Sequence, residues 1–208
     1  MSSEAQPTRA AQRREREREA RVACIRAAGA RVFARQGYAG ATMEAVADEA
    51  ELGKATLYYY FKTKRDLFAE ILAHENAELE RLSREQLAQG ADGLQVSRAI
   101  CEYWIGHFQN HPALAALMLP IMASGARPIA DELGAEIVDQ IKAAHAPLMQ
   151  ALAGLVEDAE QGRALAAMIS TFLLGLIAKA SGGQFKDATS EIELFFKLVE
   201  QLLGRNRT

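Results

Sequence analysis

The stretch TMEAVADEAELGKATLYYYF, Thr42 to Phe61, constrains this chain more than any other, because it packs two short helical patterns and a tight turn into adjacent residues. Thr42 stands where a side-chain oxygen can cap the free amides of a first helix. Glu44 suits the positive end of that helix dipole, and Met43, Val46, Ala47 and Ala50 form one apolar stripe. In the second pattern, from Lys54, Leu57 and Phe61 lie four apart on one face. Ala55, Tyr58 and Tyr59 project from roughly the opposite face, with Thr56 on its flank. An outer face that is aromatic, hydroxyl-bearing and close to a lysine suits phosphates and base edges in a major groove. The stretch reads as a helix-turn-helix. An ordinary helical hairpin with half-buried tyrosines shares the periodicity, so the flanks decide between the two.

Gly37 and Tyr38 precede Thr42, and LGKATLYYYF is followed by Lys62, Thr63, Lys64, Asp66 and Leu67. This ordered run resembles the DNA-binding signature of the tetracycline-repressor (TetR) family. The resemblance implies a double-stranded DNA operator as partner. It places DNA contact on Thr56, Tyr58, Tyr59 and Lys64, with Thr42 and Lys54 as phosphate partners and Tyr60 turned inward. Two positions depart from the pattern: Gly53 where serine is common, and Ala55 where glycine is. Gly53 removes a capping hydroxyl, whereas Ala55 stays small enough for close approach, and its methyl can touch a thymine methyl.

The fold so implied is all-α, with a three-helix DNA-binding domain ahead of a helical bundle for ligand binding and dimerisation. Composition is compatible. The chain has 208 residues, half of them hydrophobic, enough for a real core. Its net charge of -3 is uneven: residues 1–66 hold 13 Lys/Arg against 9 Asp/Glu, a net of +4, and the remainder 11 against 18, a net of -7. A mildly basic module before an acidic one fits a DNA reader joined to a part that need not touch DNA. We expect a flexible mixed-charge arm over 1–19, the DNA-binding domain over 20–66 and the regulatory and dimerisation domain over 67–208. Arginines of the arm can reach a minor groove, or extend the next helix through the Arg/Glu alternation at Arg13 to Glu19.

Periodicity then predicts a helix over about 20–36 ended by Gly37, and a long helix to about residue 88 opened by a Thr63/Asp66 capping box. Lys64 in its first turn opposes the dipole, which a phosphate partner explains. Later helices are expected over about 94–110, 113–122 with a break at Pro120, a long pattern from Ile129 to Leu155 that Pro147 kinks or divides, 159–180, and 189–203. The last is opened by Ser190 and Glu193 and closed by Gly204. Ser124 to Pro128 reads as a turn. Cys24 and Cys101 read as buried free thiols. No signal peptide is apparent, so a cytoplasmic protein is expected, and the apolar run Ala164 to Ala178 falls short of a membrane span.

The last two helices carry more apolar surface than one bundle needs. Leu173, Leu176, Ile177, Phe195, Phe196 and Val199 are the expected interface of a homodimer, which the resemblance also implies. Between them and the long helix ending near residue 88 lie Tyr103, Trp104, His107, Phe108, Met118, Met122, Met149, Met168 and Phe172; one by one they read as plain core, and as a group the resemblance implies that they line a pocket for a small hydrophobic or aromatic effector. No charged cluster in this half suggests a more exact chemistry. No cofactor, metal or catalytic motif is expected. The competing reading is a ligand- or metal-binding dimer without sequence-specific DNA binding, with His107 and His111 as zinc ligands and His145 or Cys101 as a third.

Overall fold

A computed structural model describes residues 8–124, 134–181 and 188–204, and every regular element among them is a helix. In order these are α1 (Arg9–Gly40), α2 (Met43–Glu49), α3 (Lys54–Tyr60), α4 (Lys64–Ala88), α5 (Gly93–Asn110), α6 (Pro112–Ser124), α7 (Ala135–Ala153), α8 (Ala159–Ser181) and α9 (Ala188–Leu202). The chain divides into two compact units, Met1–Ile71 and Leu72–Thr208, a boundary slightly later than the sequence suggests. The turn expected at Ser124 to Pro128, and Ile129 and Leu133 of the long pattern, fall on or next to residues outside those described.

The first unit is built on α1. Ile25, Ala28, Val32 and Phe33 face inward with Met43, Val46 and Ala47 of α2, Leu57 of α3, and Leu67, Phe68 and Ile71 of α4. Gly29 lets α1 and α4 approach closely, since a Cβ there would stand 3.0 Å from Leu67 Cδ2. The rings of Phe33 and Phe68 meet edge to face at 4.9 Å. Gly37, at φ +69°, breaks α1 where the sequence puts its terminator, and one more turn follows before Ala41. At the other end α1 starts at Arg9, capped by Thr8, where a flexible arm is expected. The Arg/Glu alternation makes the difference: Arg13–Glu17 and Arg18–Glu15 pair at helical spacing, each worth a few tenths of a kcal/mol.

Two local devices join α2, α3 and α4. After α2 the amide of Leu52 donates to the Ala47 carbonyl and that of Glu51 to Asp48, which closes the helix in a Schellman motif. Glu51 holds the left-handed position, φ +53°, usually given to glycine. Before α4 the Thr63 hydroxyl accepts from the Asp66 amide and the Asp66 carboxylate accepts from that of Thr63, the reciprocal cap that the sequence suggests.

In the second unit α5 is central, packing against α6, α7, α8 and α9. It opens with a capping box of Asp92 and Gln95 that the sequence reading missed. Pro112 begins α6, where its missing amide costs no bond. Pro120 and Pro147 do not divide their helices as expected: α6 and α7 run through them, held by Leu117 and Met118 and by Ala144 and Leu148 in the core. The final helix begins at Ala188, so Ser190 lies inside its first turn and does not cap it. Gly204, at φ +67°, follows its end as expected. Cys101 is buried but Cys24 is exposed, which corrects one of the two thiols. α8 is longer than the apolar run suggests, and Ala159–Lys179 is long and apolar enough in composition to cross a bilayer. However, Leu165, Ile169, Leu176 and Ile177 are buried in the unit's own core, as in a core helix of a bundle.

The tightest backbone approach is at Gly93, where a Cβ would lie 2.7 Å from the backbone of Ala151 and Leu152. Neither main chain can yield as a side chain would. Gly93→Ala should therefore destabilise the second unit by about 1–3 kcal/mol in urea unfolding, where a helix-interior Gly→Ala would ordinarily stabilise.

Candidate nucleic-acid interface and regulatory cavity

α3 has seven residues, and its two faces differ sharply. Leu57 is fully buried and Phe61 nearly so, whereas Lys54, Ala55, Thr56, Tyr58 and Tyr59 are exposed, Tyr59 at 72%. An aromatic residue that exposed on a short helix contributes little to the core, and is free to stack or hydrogen-bond with a partner. Tyr60 is half-buried and its ring meets that of Tyr59 edge to face at 5.2 Å. Gly53 is the N-cap of α3 and provides no side-chain bond, so the amides at this helix start have no hydroxyl on them.

The cations around this face already have intramolecular partners. Lys54 Nζ is 3.4 Å from Glu44 Oε1. The backbone amide of Glu44, and then Lys54, hold that carboxyl below its usual range. Lys62 Nζ donates to the Tyr58 carbonyl. Thr42 caps α2 through a bond from the Ala45 amide and is itself exposed. Glu49 bridges Arg31 and Arg35 at 2.6 Å each, which ties α2 to α1 and lowers the Glu49 pKa.

Lys64 differs most from its expectation. Its Nζ donates to the carbonyls of Tyr38 at 2.6 Å and Ala41 at 3.0 Å, with Ala39 at 3.3 Å, and lies 4.6 Å from the Tyr38 ring centre. These are the carbonyls left open at the end of α1. The dipole argument for a phosphate at this lysine therefore has an intramolecular answer, which periodicity could not reveal.

The second unit holds an apolar cavity of about 270 Å³, lined from α4, α5, α6, α7 and α8. Of the nine residues expected to line a pocket, Trp104, Met118, Met122 and Met149 do so. Tyr103, His107, Phe108, Met168 and Phe172 are not in its wall: Phe108 is packed in the core, Met168 is exposed, and Phe172 stacks on Phe195 at 3.9 Å. Sequence reasoning missed the aliphatic wall, Leu72, Leu79, Ile100 and Leu148 among it, and the polar residues Glu75, Asn76, Ser97, His145 and Ser170. Glu75 had a signal. It interrupts the apolar stripe of α4 between Leu72 and Leu79, and a charge in such a stripe is a buried charge.

His107 lies beside Glu75, its Nε2 3.1 Å from Oε2. That is ion-pair distance, yet neither atom has a hydrogen-bond partner in acceptable alignment. Tyr103 stacks on His107 at 5.4 Å, and burial, followed by the charges of Glu75 and Glu78, raises its phenol pKa. The rings of His107 and His111 are 4.8 Å apart, but no three metal-ligating side chains come together among the described residues.

Of the expected dimer residues, Leu173, Leu176, Ile177, Phe196 and Val199 are buried within the single chain and Phe195 is half-buried. Leu173 even lines the cavity. The apolar surface left outside is another set: Leu194, Leu198 and Leu202 of α9, exposed by 59%, 49% and 78%, with Met168 of α8.

Residues 25–71 match the family described as bacterial regulatory proteins, tetR family. The HTH-type transcriptional repressor NicS of Pseudomonas putida is 26% identical over 91 residues, which span 44% of this chain and 43% of that relative. A TetR-like transcriptional regulator from Rhodococcus sp. RHA1 superposes over 89% of this chain and 97% of its own, with a TM-score of 0.67 at 17% identity. FadR from Bacillus subtilis, solved with stearoyl-CoA, does so over 88% and 98%, with a TM-score of 0.66 at 16% identity. Residues 25–71 thus carry the DNA-binding segment typical of the TetR family, on a chain that has the fold of TetR-like regulators. At such identities the two structures establish the regulator's fold, while the sequence match falls on the unit that holds α2 and α3.

Two measurements separate the roles of Lys64 and Tyr58. Lys64→Ala should lower its stability by about 1.5–3 kcal/mol, the usual worth of hydrogen bonds to a charged group. Tyr58→Ala should leave the melting curve within about 0.5 kcal/mol of the parent, as for an exposed residue, while weakening DNA binding at least as much. The cysteines differ too. Burial raises the Cys101 thiol to about 12, and the thiolate is the reactive form, so at pH 8 a thiol reagent should modify Cys24 alone on the folded chain and both residues in denaturant.

Proposed function

We propose that this regulator is a homodimeric repressor in the bacterial cytoplasm, which binds a palindromic DNA operator through α3 and releases it when a small apolar effector fills the cavity. The observation that carries the DNA reading is the two-faced α3, anchored by Leu57 and Phe61 and exposing Thr56, Tyr58 and Tyr59. Such a helix presents side chains to a groove and gains nothing for the core by exposing them. The proposed contacts are Thr56, Tyr58 and Tyr59 with Ala55 at close approach, and Thr42 and Lys54 toward phosphates. Lys64 acts on DNA through the end of α1 that it holds.

Dimerisation is supported by the leucines four apart on α9, together with the outward face of α8, where Ala164, Ala167, Gly175 and Ala178 are exposed and small enough for a helix to approach. Burying one leucine is worth about 1.5–3 kcal/mol, so three on each protomer would drive association. A two-fold pair of α3 helices would then read two half-sites.

The size of the cavity supports a compact effector. About 270 Å³ is at the lower edge of sites for drug-sized ligands, which suits one or two rings and not a long acyl thioester. α4 begins at Lys64 and continues to the cavity residues Leu72, Glu75, Asn76 and Leu79, so a ligand that alters this helix has a covalent route to α3. Release follows only if the ligand prefers the arrangement that DNA does not.

The test is enrichment of genomic fragments on the purified protein, followed by Leu198→Glu. One shared palindrome should emerge. The exposed Leu198→Glu change should leave each chain folded, make it monomeric in sedimentation and weaken operator binding about tenfold or more through lost avidity. A dimer indifferent to this change would put the interface elsewhere, and no enriched palindrome would remove the operator reading.

A further inference from the structure

We infer that the cavity recognises an apolar molecule carrying a protonated amine or comparable N–H donor, and that Glu75 is the group that receives it. The inference rests on the reading of the cavity as the effector site. Its wall is apolar over most of its area, through residues such as Leu72, Ile100, Trp104 and Leu148. Into this wall the sequence sets one carboxylate, Glu75, only 5% exposed. A buried carboxylate is costly unless donors satisfy it. His107 stands at 3.1 Å from Oε2 but is not aligned to donate, and Glu75 lines the cavity, so its carboxylate keeps acceptor capacity toward a ligand there.

Three of the remaining polar groups, Ser97, Asn76 and His145, have the same sense. The Ser97 hydroxyl donates to the Gly93 carbonyl at 2.7 Å, and Asn76 Nδ2 donates to that of Leu72. His145 Nδ1 is 2.7 Å from the Ile141 carbonyl, so that nitrogen donates to it. Backbone carbonyls thus already occupy one donor of each group; the Ser97 hydroxyl keeps only lone pairs, and Asn76 keeps its carbonyl acceptor beside one N–H. Neither lysine nor arginine occurs among the described lining residues. A carboxylate or phosphate on the ligand would meet a like charge with no lysine or arginine to offset it. An ammonium or amidinium would meet the one charge present, in surroundings where hydrogen bonds to charged groups are at their strongest.

The experiment uses the full chain and three probes on one carbon skeleton, phenylbutylamine, phenylbutanol and phenylbutanoate, with affinities from calorimetry. The amine should bind at least about tenfold tighter than the alcohol, and the carboxylate should be weakest. Glu75→Gln should cut amine affinity about tenfold and leave that of the alcohol within a factor of about two, showing an intact cavity. A carboxylate that binds as well as the amine, a preference unchanged in Glu75→Gln, or an amine that does not bind would each overturn the inference. The ranking on the unaltered chain decides the matter even if the variant does not fold. Adding the same probes to the operator complex keeps the two readings apart: an amine that binds as described without releasing DNA contradicts the effector role and leaves the charge preference standing.

Discussion

A seven-residue helix does not hold its shape in water, and the first unit depends on the burial that makes α3 an exception. Helix nucleation costs more than so few hydrogen bonds return, so α3 exists because Leu57 and Phe61 are withdrawn into a core made by α1, α2 and the start of α4. The same burial fixes its rotation, and rotation decides which side chains look outward. With Leu57 inside, Ala55, Thr56, Tyr58 and Tyr59 can only be outside. The caps around α3 serve this arrangement: the Schellman turn after α2 sets where the chain enters α3, and the Thr63/Asp66 box sets where it leaves. Glu51 in a left-handed conformation adds local strain of about 1 kcal/mol to that turn, which the buried contacts on either side have to outweigh.

The second unit follows the opposite logic. Its helices are long enough to tolerate faults, and two of them continue through a proline because buried neighbours hold both sides. What it does not fill is the space between α4, α5, α6, α7 and α8, where aliphatic and methionine side chains leave a cavity with a carboxylate in its wall. A protein selected for stability alone would not place Glu75 there, since an apolar residue would remove both the void and the charge. Glu75 and Lys64 lie on the same helix, Lys64 binding the open carbonyls of α1. The proposed coupling therefore needs no element beyond α4.

The first unit was legible in the sequence because its signals are local. Caps, the break at Gly37 and the two faces of α3 are set by residues within a few positions of one another, and the structure has them where periodicity puts them. Lys64 marks where this stops: its partners Tyr38, Ala39 and Ala41 precede it by two helices, and a spacing rule cannot see them. In the second unit the apolar helices were recognised but not their rotation. Periodicity counts Leu173, Leu176, Ile177, Phe196 and Val199 as surplus, whereas packing places them in the core and leaves Leu194, Leu198 and Leu202 outside. For the same reason the aromatic residues of α5 were expected together in a pocket, yet only Trp104 lines it. Glu75, which interrupts the stripe of α4, is a charge that the sequence offered and that periodicity alone passed over.

In the proposed reading α3 is the surface that meets DNA. Amide hydrogen exchange on the full chain, with and without a duplex enriched from genomic fragments, tests this most directly. Slower exchange concentrated in Lys54–Tyr60 and at the start of α2 when the duplex is present is the result expected. Unchanged exchange across α3, with protection appearing elsewhere on a chain that still binds the duplex, would contradict it.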